Sequence, residues 1–129
     1  VKNKRDIPFI TYFPTSAFPI YFGVTTDEVA FNKELKRLGV EEEVKFAKFA
    51  HGGCTHFISK VGESLTIIVT ISVDDNASTP RLVGLAAHEA SHVWDRINEE
   101  MGCAAPGGEH SAYGLQWITQ CISREIWEG

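Results

Sequence analysis

The densest run of β-branched residues in the chain, Leu65-Thr66-Ile67-Ile68-Val69-Thr70-Ile71-Ser72-Val73, predicts a strand over 65–73 that ends at Asp74-Asp75-Asn76. Cys54 to Lys60 pairs with it as a hairpin around Val61-Gly62-Glu63-Ser64. Upstream, Pro8, Pro14 and Pro19 exclude a helix interior across the aromatic-rich stretch Phe9 to Phe22. That stretch reads as short extended pieces, with Ile20-Tyr21-Phe22 as a strand. Val29, Leu35 and Leu38 recur at loose helical spacing, Thr25 and Glu28 resemble a capping box, and Gly39 is a stop, so a helix is expected near 27–38. Residues 40–50 fit neither period, and His51-Gly52-Gly53 is a turn signal. Thr79-Pro80 is a helix start, a hydroxyl cap followed by proline at the first helical position. That helix should run from Pro80 to Ile97 or a little beyond. A loop through Gly102 and Ala104-Ala105-Pro106-Gly107-Gly108 separates it from a last helix over Glu109 to Trp127.

These elements predict an α+β fold: a small antiparallel or mixed sheet packed on two long helices, in one domain over 1–129. The length suits one compact domain. The net charge of −5 argues against a dedicated nucleic-acid binder, which draws on clustered Lys and Arg. No stretch approaches the length of a membrane span. Three cysteines, Cys54, Cys103 and Cys121, leave at least one unpaired within the chain. An odd count fits a reducing compartment, so a cytoplasmic location is expected.

The chemistry concentrates in His88-Glu89-Ala90-Ser91-His92. Two histidines four residues apart stand one turn apart on one helix face, where both can reach one zinc ion. Glu89 beside them can act as a general base toward water. At roughly 100° per residue, Leu82, Val83, Ala86, Ala90, Val93, Trp94 and Ile97 share one broad arc, and the two histidines lie outside it. A solvated helix face usually carries Lys, Arg and Glu pairs, whereas this one carries His, Ser and Leu85 for most of its length. Catalytic zinc takes three protein ligands, and the third candidate is Glu109, at the start of a helix that a short loop would fold back beside the first. On that helix Glu109, Tyr113, Gln116 and Gln120 share one stripe, and Ala112, Leu115, Ile118, Ile122 and Ile126 share another. A carboxylate at a helix start also has a plainer use, interaction with the helix dipole. Tyr113 reads as a packed aromatic with its hydroxyl at the surface, with an oxyanion partner as the alternative. Rival ligands are His110, which points about 100° from Glu109, Asp95, and Cys54, which reads better as a small apolar residue. His51 and His56 read as surface or satisfied histidines.

Leu85 to Trp94, with its HExxH core, resembles the active-site helix of the zincin metallopeptidases. Glu109 on a second helix resembles the gluzincin arrangement, and the strand at 65–73 is similar to the edge strand that lines the zincin substrate cleft. The layout also resembles small HExxH proteins encoded by tailed phages. The resemblance spans about residues 65–127 and implies His88, His92 and Glu109 as zinc ligands, with Glu89 as general base. Tyr113 stands where gluzincins often carry an aspartate, and Asp95 and Asn98 replace the metzincin glycine and third histidine. Gly53-Cys54 resembles the cysteine-ligand segment of peptide deformylases, whose glycine-rich, glutamine-bearing motif is absent. The implied activity is zinc-dependent hydrolysis of a peptide bond in a peptide or protein substrate, with no nucleic-acid or membrane partner. The alternatives are a non-catalytic zinc-binding assembly protein, a cleft completed by a protein partner, and hydrolysis of a non-peptide amide.

Overall fold

The computed structural model describes residues 9–15, 18–46, 52–60, 62–103 and 107–129. The ordered elements are β1 (Thr11–Phe13), β2 (Ile20–Thr25), α1 (Glu28–Arg37), β3 (Gly53–Ile58), β4 (Leu65–Ile71), α2 (Thr79–Glu100) and α3 (Gly108–Glu128). The strands form one mixed sheet in the order β1-β2-β4-β3. β2 and β4 run parallel, with Phe22 opposite Ile67 and Val24 opposite Val69, and β1 and β3 are antiparallel to their neighbours.

Side-chain alternation divides the core in two. Phe22, Val24, Ile67, Val69 and Ile71 face α2 and α3, where they meet Ala86, Ala90, Val93, Ile97, Ile118 and Ile122. Ile68 faces the other way, into a cluster with Ala30, Phe31, Leu35 and Phe46 around α1. Helices therefore cover both faces of β4, which explains why all seven of its residues are buried and why its sequence is a near-continuous apolar run. Here the expectation of an edge strand at 65–73 is corrected. β4 lies inside the sheet, and the edge next to α2 is β3, whose residues are only half-buried or exposed. A strand apolar on both faces needs cover on both and partners on both sides. β3, with its mixed composition, tolerates the edge beside α2, and β1 forms the other edge.

Two helix starts differ from expectation by one or two residues. Asp27, not Thr25, caps α1: its carboxylate accepts from Ala30 N–H at 3.0 Å. Thr25 is held extended by its pairing with Thr70, and its hydroxyl instead accepts from Asp27 N–H at 3.0 Å. Ser78, not Thr79, caps α2, accepting from Arg81 N–H at 3.2 Å. Both caps satisfy donors that a helix start leaves open.

α3 turns back on α2 through a contact that needs glycine. Trp94 of α2 is 5% exposed and packs flat where Gly114 of α3 has no side chain. Its indole Nε1–H donates to Ser111 Oγ at 3.1 Å, and its ring lies 4.8 Å from that of His110. This contact places the first turn of α3 against α2 two residues past His92. Among the described residues no helix is long and apolar enough to cross a membrane, and the three cysteines are free thiols.

Candidate metal centre

α2 presents three faces. Leu82, Ala86, Ala90, Val93 and Ile97 go into the core. His88 and His92 are exposed, and Glu89 lies between these two faces, turned toward β3 and 3% exposed. The helix and the edge strand leave a groove between them of about 810 Å³. β3 lines it with Gly53, Cys54, Thr55 and Phe57, and α2 with residues that include Arg81, Leu85, His88, Glu89 and His92. At the far end Arg96 lies over the Phe57 ring, 4.9 Å from its centroid.

The two imidazoles converge. His88 Nε2 and His92 Nε2 are 3.2 Å apart, with the rings at 77°. Two nitrogens held by one tetrahedral zinc at about 2.0–2.1 Å stand about 3.3–3.4 Å apart. The separation of the pair is close to that bite, and both rings are open to solvent.

Glu89 is held from two sides by β3. Thr55 Oγ1 donates to Glu89 Oε1 at 2.7 Å and lies 3.5 Å from the Glu89 carbonyl oxygen. A buried carboxylate is costly without a donor, and this hydroxyl supplies one. Gly53, two residues earlier on the same strand face, makes room: a Cβ there would sit 3.1 Å from Glu89 Oε2 and 3.2 Å from Glu89 Cγ.

The other sequence candidates are placed as follows. Glu109 is exposed in the first turn of α3, beside His110 and Ser111, which touch Trp94. His88 and His92 stand together, and among the described residues no three His, Cys, Asp or Glu side chains form a group that could hold a metal ion. Tyr113 is 66% exposed, and Asp95 is exposed. Strand alternation turns Cys54 away from Thr55, and its Sγ lies 4.0 Å from His56 Nδ1. Burial, and then the nearby Glu89 charge, push its thiol pKa up, which disfavours the thiolate that a metal needs. His56 is a satisfied histidine, 3.0 Å from Thr70 Oγ1 and 4.7 Å from the Phe31 ring. Burial pushes its pKa down to about 4. His51 lies outside the described residues.

Sequence reasoning missed Gly53 and Thr55. Their shared parity on a predicted strand was visible, but nothing local tells which strand lies beside Glu89. No protein-family model, curated protein or solved structure matches the chain.

Proposed function

We propose that the protein is a zinc-dependent hydrolase that cleaves peptide amide bonds, a zincin-like metallopeptidase. The observation that carries this reading is the combination on one helix of a histidine pair with zinc spacing and a buried carboxylate, at the wall of a groove. His88 and His92 would hold the ion. Glu109 is the proposed third ligand, on the strength of its place in the first turn of α3, the helix that packs against α2. A bound zinc ion supplies a Lewis acid that acidifies water and polarises an amide carbonyl.

The chain's own residues supply the rest. Glu89 removes a proton from the attacking water as its oxygen bonds to the carbonyl carbon. The same carboxyl then delivers that proton to the nitrogen as the C–N bond breaks. β3 supports a peptide over another amide, because an edge strand offers unpaired N–H and C=O groups to an extended chain. The groove volume is in the range of ligand sites of about 300–1,000 Å³.

Elemental analysis of protein purified without chelator or added metal tests the first half, and the expected result is about one zinc per chain. His88→Ala and His92→Ala should lose it, and Glu109→Ala should bind it more weakly. Incubation with a mixed peptide library tests the second half. Wild type should cleave, and Glu89→Gln should keep zinc and lose about 100-fold or more in rate. Wild-type protein that retains no zinc after it is supplied would refute the reading. Zinc-loaded protein that cleaves nothing would leave a zinc-binding protein without turnover.

A further inference from the structure

The groove wall opposite the histidines treats the two oxygens of Glu89 differently. Oε1 accepts a hydrogen bond from the Thr55 hydroxyl at 2.7 Å. Oε2 lies against the bare Cα of Gly53, where a Cβ would stand 3.1 Å away. Ile71 Cδ1 closes the same space, 3.1 Å from that Cβ position. Glu89 is 3% exposed, so its carboxylate has little freedom to choose another pose. Among the described residues no buried side-chain polar atom lacks a partner, which makes this hydroxyl part of a satisfied arrangement.

We propose that Thr55 is a positioning residue for hydrolysis: its hydroxyl occupies Oε1, so that Oε2 is the oxygen that takes the proton from water and returns it to the leaving nitrogen. Gly53 is the second half of the device, because a Cβ there would push the carboxylate back by a few tenths of an ångström. This inference rests on the hydrolase reading above, and it adds to it the edge strand as the element that aims the base. Thr55 itself takes no part in the bond changes. It acts through the orientation of one carboxylate, and orientation alone accounts for large rate effects: a misplacement of about 1 Å can cost about 100-fold.

The test compares zinc-loaded Thr55→Val, Thr55→Ser and Gly53→Ala with wild type and Glu89→Gln, on a peptide that wild type cleaves from the mixed library. Thr55→Val keeps the shape and the strand preference and removes only the donor. The expected result is a kcat lowered about 10- to 100-fold with KM within about twofold of wild type. Zinc stoichiometry should stay unchanged. Thr55→Ser, which keeps the hydroxyl, should return kcat to within about threefold of wild type, whereas a residue that merely filled space would not be rescued in this way. Gly53→Ala should lower kcat similarly with the hydroxyl still in place. Thermal melts check that each variant folds, and kcat is read only from folded, zinc-loaded protein. Thr55→Val turning over like wild type while Glu89→Gln is inactive would overturn the positioning role and leave the hydrolase reading standing. Zinc-loaded wild type that cleaves nothing would overturn both.

Discussion

Replacement of Gly114 by alanine sets two known effects against each other, and the structure decides the sign. Alanine favours a helix interior over glycine by about 1 kcal/mol. Against that, a Cβ at position 114 would stand 2.3 Å from Trp94 Cζ3, 2.4 Å from Cη2 and 2.6 Å from Cε3. Carbon atoms rest at about 3.5–4.0 Å, so the indole or the helix must retreat by about 1.2 Å. Trp94 cannot swing out cheaply, being 5% exposed, tied through Nε1 to Ser111 and covered by His110. Overpacking of this kind costs about 1–3 kcal/mol, and with no flexible chain end to absorb it the upper half of that range applies.

The expected net effect is a loss of about 1–2 kcal/mol, a fall of about 4–8 °C in melting midpoint for a chain of this size. Urea unfolding followed by circular dichroism should show a lower midpoint with an unchanged slope. Gly84→Ala is the matched control. It lies in α2, a Cβ there meets nothing within 4 Å, and alanine should therefore stabilise by about 0.5–1 kcal/mol. A Gly114→Ala protein as stable as wild type would refute the argument that this contact holds α3 on α2. Displacement of α3 should also weaken zinc binding if Glu109 completes the centre, because the same contact places the first turn of that helix.

Three further outcomes are expected. Asp27→Ala and Ser78→Ala should each cost about 0.5–2 kcal/mol in urea unfolding, because each removes a side-chain cap, whereas Thr79→Ala should cost less. The pKa of His56 is depressed from 6.5 to about 4, so on acidification the unfolded chain takes up its proton first. The His56 contribution to stability should therefore fall as pH drops from about 6.5 toward about 4 and be constant below that. His56→Gln should reduce the slope in that window, and an unchanged slope would count against a buried neutral imidazole. Cys121, buried with its thiol pKa pushed up to about 11, should resist a thiol reagent in native protein and react after unfolding.

What the residues determined by themselves was everything governed by short-range periodicity. The β-branched run over 65–73 marked a strand, which the structure forms over Leu65–Ile71. The i,i+4 spacing of His88 and His92 put their rings on one helical stripe within reach of each other, and their Nε2 atoms stand 3.2 Å apart. The same wheel turned Leu82, Ala86, Ala90, Val93 and Ile97 into the core. What the tertiary structure decided was every relation between elements distant in sequence. It put β4 inside the sheet and β3 at the edge, and so made Gly53 and Thr55, 34 residues from Glu89 in the case of Thr55, the wall that holds the carboxylate. It moved both helix caps by one or two residues, because Thr25 was already committed to a strand ladder and Ser78 reached the open N–H of Arg81 first. It also decided where the first turn of α3, which carries Glu109, lies on α2, since the position of α3 depends on how Gly114 meets Trp94. Backbone periodicity is a local property and is written in a few consecutive residues. Strand neighbours, register and helix docking depend on complementarity between surfaces that only the folded chain brings together.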